Sequence, residues 1–100
     1  MRTERTFAVY ILTNEYHTVL YTGVTNNLVR RMEEYRMNKD PGSFVARYNL
    51  TKLVYFDIVG SPSDAIAMEK RIKGWSRAKK IALITERNPK WEDLSDAIYY

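Results

Sequence analysis

From Thr6 to Thr13 the chain reads TFAVYILT, a β-branched and aromatic run that predicts a largely buried strand. The turn-like NEYH (Asn14 to His17) follows, and TVLYTGV (Thr18 to Val24) predicts a second strand, so the two form a hairpin around a loop of about four residues. The period then changes. Leu28, Met32 and Tyr35 recur at i, i+4 and i+7, the stripe of a helix facing a core, with Thr25, Asn26 and Asn27 as candidate N-caps. NKDPGS (Asn38 to Ser43) ends that helix with turn chemistry, and TKLVYFDIV (Thr51 to Val59) predicts a third strand. In SPSD, Ser61 can cap a helix, Pro62 suits its first position and Asp64 stands three residues after the cap. This helix runs to about Lys73, where Gly74 interrupts the pattern. SRAKKIALITER (Ser76 to Arg87) predicts a third helix, capped by Ser76 and stopped by Asn88-Pro89. The order β-β-α-β-α-α predicts an α+β domain built on a small three-stranded antiparallel sheet flanked by helices.

Composition narrows the function classes. The 100 residues suit one domain, with little room for a second core. At 45% hydrophobic and 28% charged, with few Gly and Pro, the chain is a globular rather than a disordered one. Its net charge of +4 favours a polyanionic partner. With no Cys and a single His, disulfides, thiolate metal sites, a Cys nucleophile and Cys/His zinc sites are excluded or poorly served. MRTERTF lacks the apolar stretch of a signal peptide, and no window approaches a membrane helix, so a soluble cytoplasmic protein is the expectation.

Four features could carry chemistry. Arg31 falls on the apolar stripe, three residues after Leu28 and four before Tyr35, whereas Arg30 can point to solvent. Its ordinary reading is a long side chain reaching past the core to a carboxylate. Tyr10 and Tyr21 lie centrally in the first two strands, where tyrosines usually pack. Glu69 borders the face marked by Ala65, Met68 and Ile72, and its ordinary reading is a half-buried salt bridge. Lastly, KRIKGWSRAKK (Lys70 to Lys80) holds Lys70, Arg71, Lys73, Arg77, Lys79 and Lys80 around Trp75, with no acid. That is a solvated face, or a surface for phosphate contact with Trp75 stacking on a base or sugar. The combination is more telling than any member. An inward Arg, adjacent-strand tyrosines and a lone carboxylate are what phosphodiester cleavage with one metal needs. The carboxylate holds a hard ion such as Mg²⁺, the Arg neutralises charge developing on the phosphate, and a Tyr hydroxyl orients or deprotonates the attacking water.

With these residues in place the sequence resembles the GIY-YIG nuclease superfamily, over nearly the whole chain. VYILTN stands where GIY belongs, YTG stands for YIG eleven residues after Tyr10, and Arg31 falls ten residues after Tyr21 in the helix NNLVRRMEEY. The stretch EKRIKGWSRAKKIALITERNPKWEDL (Glu69 to Leu94) is similar to the small bacterial single-domain branch related to the excision-repair nuclease domain. The resemblance implies that Tyr10 and Tyr21 are the paired motif tyrosines, Arg31 the phosphate-binding Arg, Glu69 the ligand of Mg²⁺ or Mn²⁺, and Asn88 the asparagine that closes the site in some members. It departs from the pattern at Ala8 (Gly of GIY), Thr22 (Ile of YIG) and Val24, where some members carry Lys. Tyr35 stands where close bacterial relatives usually have His and the excision-repair domain has Tyr. The implied activity is a metal-dependent, structure-selective or repair-related DNA endonuclease, with Arg30, Lys70, Lys73, Trp75, Arg77, Lys79 and Lys80 on the nucleic-acid side. Its specificity comes from its own basic run or from a protein partner. The alternatives are a nucleic-acid-binding module without turnover and an accessory protein with a vestigial site.

Overall fold

The computed structural model describes residues 6–98. Strand β1 (Phe7–Thr13) lies at the centre of a three-stranded antiparallel sheet, between β2 (Leu20–Thr25) and β3 (Lys52–Val59). β1 is buried on both faces from Ala8 to Thr13, which is why its sequence is a continuous apolar run rather than an alternation. The hairpin to β2 is closed by Asn14, whose Oδ1 accepts the Thr18 N–H at 2.8 Å, while His17 turns the chain at φ 58°. The Asn14 side chain thus closes the turn that NEYH suggests by bonding the backbone four and five residues on.

Helices cover the two faces separately. Ala8, Tyr10 and Leu12 point to one side and pack with Leu28 and Met32 of α1 (Leu28–Arg36), Val45, Leu50 and Leu53. On the other side Val9 and Ile11 pack with Ala65 and Ile72 of α3 (Pro62–Lys73) and Ile84 of α4 (Arg77–Arg87). The caps are those the sequence offers. Asn27, Ser61 and Ser76 each accept a backbone N–H three residues on, from Arg30, Asp64 and Lys79. Two elements go beyond the sequence pattern: a four-residue helix α2 (Phe44–Arg47) capped by Ser43, and a 3₁₀ turn (Ser95–Ile98). Among the described residues no helix is long and apolar enough to cross a membrane.

β1 and β3 shift register between Ile11 and Leu12, a bulge that leaves Val54 and Tyr55 packed on the same side as Ile72 and Ile84. β2 remains an edge strand, with α1 on one face of the sheet and α3 on the other. Side chains from both helices can therefore meet around that edge.

Candidate active site

Tyr10 is fully buried in β1, and its register partner on β2 is Gly23. The missing side chain gives the ring its room, because a Cβ at Gly23 would lie 2.5 Å from both Cζ and Oη of Tyr10. Glycine inside a strand marks such a close approach. Passing over Gly23, Tyr10 brings its hydroxyl to 2.8 Å from the Tyr35 hydroxyl on α1. Tyr21, two residues before Gly23 and so on the same face of β2, sets its ring 6.5 Å from that of Tyr10, and the Tyr35 ring lies 6.5 Å away on another side. Three phenols therefore converge.

Arg31 joins them from α1. Its side chain keeps 34% of its accessible surface against 57% for Arg30, which turns outward to Glu34 and Asn26. Partial burial disfavours the Arg31 charge, but hydrogen bonding to Tyr35 and the neighbouring phenols outweigh it and hold the guanidinium above the ordinary arginine pKa. Its Nε also lies 3.4 Å from Glu34 Oε1. From the opposite face of the sheet, Glu69 of α3 reaches the same edge with its side chain only 12% exposed, and its Oε2 lies 2.5 Å from Lys73 Nζ one turn on. That hydrogen bond raises the Lys73 pKa against the cost of partial burial.

The phenols differ in how hard they are to ionise. Burial, then the bond to Tyr35, push Tyr10 far above the usual tyrosine value. Burial also raises Tyr21, but the positive charges of Lys73 and Arg31 pull it the other way. Tyr21 is thus the phenol between the Arg31 side and the Glu69–Lys73 side of the site.

The pattern of the GIY-YIG catalytic domain matches residues 6–82. The chain belongs to the GIY-YIG family. It is 38% identical over 81 residues to a UPF0213 protein of Syntrophus aciditrophicus, an alignment spanning 81% of this chain and 91% of the relative. A UPF0213 protein of Clostridium perfringens is 33% identical over 90 residues, covering 90% of this chain and 95% of that one. The solution structure of a UPF0213 protein from Bacillus halodurans superposes with a TM-score of 0.58 at 24% identity, over 95% of this chain and 99% of the other, a likeness of fold. GIY-YIG domains are nuclease domains and generally depend on a divalent metal.

The donor set suits such a metal. Among the described residues no three His, Cys, Asp or Glu side chains gather, and Glu69 offers this edge a hard oxygen donor. A lone carboxylate is a poor zinc site and an adequate one for Mg²⁺, which keeps its waters and takes phosphate oxygens as further ligands.

The other expected residues separate. Asn88 is buried with its amide committed to backbone: Nδ2 donates to the Val54 and Glu92 carbonyls at 3.1 and 2.9 Å, and Oδ1 accepts the Glu92 N–H. It fastens the loop after α4 to β3 instead of facing the tyrosines. The basic run is not one free face either. Lys73 belongs to the Glu69 pair, Arg77 donates to the His17 carbonyl at 2.7 Å, and Trp75 is half-buried against the core on the α3–α4 side with Lys79 Nζ 4.6 Å from its ring. Trp75 is accordingly a packing residue capped by a cation rather than an open stacking platform. Lys70 and Lys79 are exposed and Lys80 is partly so. Gly23 is the contributor that chemistry-bearing residue types do not reveal; its place in the strand and as the last residue of YTG are the available signals.

Proposed function

We propose that this chain is a metal-dependent endonuclease that hydrolyses phosphodiester bonds in DNA, with a structure-selective or repair-related role. The observation that carries the proposal is the meeting, at the β2 edge, of Tyr10, Tyr35 and Arg31 from one side of the sheet with Glu69 and Lys73 from the other, around Tyr21. Arg31 binds the scissile phosphate and offsets the negative charge that grows on it. Tyr21, the phenol less hard to ionise, accepts the proton of the attacking water as its phenolate, while Tyr10 and Tyr35 hold each other and Arg31 in position. Glu69 would hold the metal, which when bound polarises the phosphate and its own waters. Lys73 orients Glu69 through their ion pair.

A second reading has one observation in its favour. The Glu69–Lys73 pair satisfies Glu69 without any metal, as it would in a nucleic-acid-binding module or accessory protein. Glu69→Gln separates the two. With Mg²⁺ or Mn²⁺ and a panel of duplex, nicked, flap, branched and single-stranded DNAs, the nuclease reading expects cleavage by the wild type and near-background cleavage by the variant. Affinity for DNA in EDTA should be kept. A variant that cleaves normally but melts at lower temperature would make Glu69 a structural ion pair and favour the binding module.

A further inference from the structure

Beside the tyrosines opens a cleft of about 630 Å³, whose lining includes Tyr21, Arg31, Tyr35, Phe44 and Asn49. This is the size of a small-ligand site. Its rim is aromatic. The Phe44 ring stacks on Tyr21 at 5.9 Å with an interplanar angle of 30°, and Tyr48 follows at 4.7 Å from Phe44. With Tyr10 6.5 Å beyond Tyr21, a line of rings runs from the surface to the candidate catalytic cluster.

Phe44 opens α2 and Tyr48 is its C-cap four residues on, which brings the two rings into contact. They are 45% and 43% exposed, whereas the residue that α2 buries is Val45. Single exposed aromatics are ordinary, but two in contact beside a cleft form a patch of the kind that binds something. The surroundings are cationic: the Arg47 guanidinium lies 5.9 Å from the Tyr48 ring, and Arg31, Arg36 and Lys39 line the cleft against Glu34 and Asp40. Aromatic faces interleaved with cations match a polyanionic strand whose bases are open to stacking. Inside a continuous duplex both faces of each base are taken by neighbours, so a ring on the protein stacks there only by prising base steps apart, a cost that an unpaired base avoids.

We propose that Phe44 and Tyr48 form a stacking subsite for an unpaired nucleobase next to the scissile phosphate, with Arg47 beside the strand. The subsite rests on the nuclease reading only in that Arg31 and Tyr21 mark where the scissile phosphate lies. It gives the substrate a defined class: DNA with an unpaired stretch at the cut, whether single-stranded, flapped or forked.

The test is binding in EDTA, by fluorescence anisotropy, of a labelled single strand and of its duplex. Phe44→Ala and Tyr48→Ala should each weaken single-strand binding by roughly tenfold, within the range for loss of one stacked base, and duplex binding by less than about twofold. Tyr48→Phe, which keeps the ring, should bind as wild type. A single abasic nucleotide moved along the strand should at one register weaken the wild type and not weaken Phe44→Ala any further. Equal losses on single strand and duplex, Tyr48→Phe as damaging as Tyr48→Ala, additive losses at every abasic register, or no binding of single strand by the wild type would each overturn the subsite. Binding through Phe44 by a chain that never cleaves with Mg²⁺ would instead defeat the nuclease reading and leave the subsite standing.

Discussion

Gly23 decides where Tyr10 can point. In Gly23→Ala the new methyl would have to occupy space 2.5 Å from the Tyr10 hydroxyl carbon and oxygen, so the ring must leave β2 and break its bond to Tyr35. The expected result is a folded protein with a lower melting temperature and little cleavage; a variant that cleaves as wild type would show that the Tyr10–Tyr35 bond is dispensable. The phenols also set a pH dependence. Tyr21 is raised above its ordinary value near 10, first by burial, so only a small fraction is ionised at neutral pH. If the phenolate accepts the proton, that fraction and the rate rise about tenfold for each pH unit below the pKa. The log-rate profile should therefore climb through the neutral and alkaline range without a plateau before about pH 10. Tyr21→Phe should lower the rate and flatten the climb. An unchanged slope in that variant would assign the titration to another group.

At the scale of elements, α1 works by phase. Leu28 and Met32 anchor it to the core, and the same rotation that buries them turns Arg31 toward Tyr35 and leaves Arg30 outside. Arg31→Ala should lower cleavage by roughly 100-fold or more, as for other donors to transition-state charge, while Arg30→Ala changes it far less; equal effects would mean that helix phase does not select the functional Arg. This phase is legible in the sequence because Leu28, Met32 and Tyr35 define it. So are the three strands and the caps at Asn27, Ser61 and Ser76, which rest on local rules. α2 is not legible, because four residues are too few to show a period, and Ser43 is its only local mark. Lys73 reads as one more cation of a basic run, although it stands four residues after Glu69 on α3, the local spacing of a helical ion pair. Asn88 follows a helix as a stop signal and as a match to the family's asparagine, and only the folded chain shows its amide spent on Val54 and Glu92. Local chemistry is written in the sequence; which element a side chain finally touches is not.

Across the whole molecule the basic run has two tasks that a substitution series can pull apart. Arg77 ties α4 to the β1–β2 loop through the His17 carbonyl. The same loop is held from other sides: the His17 ring lies 4.7 Å from Trp91, His17 Nε2 is 3.0 Å from Lys52 Nζ, and Trp91 Nε1–H reaches Thr85 Oγ1 at 3.1 Å. Hairpin, β3, α4 and the segment after it are thus joined at one point, at the end of the hairpin that carries Tyr10 and Tyr21. Among the described residues Lys70 and Lys80 make no bond that holds elements together, and the charge they add to the surface is what a phosphate backbone would meet. Duplex binding should weaken with salt at a slope of about 0.9 per phosphate contact, so Lys70→Gln with Lys80→Gln should flatten the slope of log K against log salt by up to roughly twice that value. Their melting temperature should stay near that of wild type, as for exposed surface substitutions. Arg77→Ala should do the reverse, lowering the melting temperature more than it alters the slope. Titrating DNA at several salt concentrations and melting the same variants distinguishes these patterns. If Lys70 and Lys80 leave the slope unchanged, the run serves only to solvate and fasten α3 and α4, and DNA approaches by the cleft side alone, through Arg31, Lys39 and Arg47.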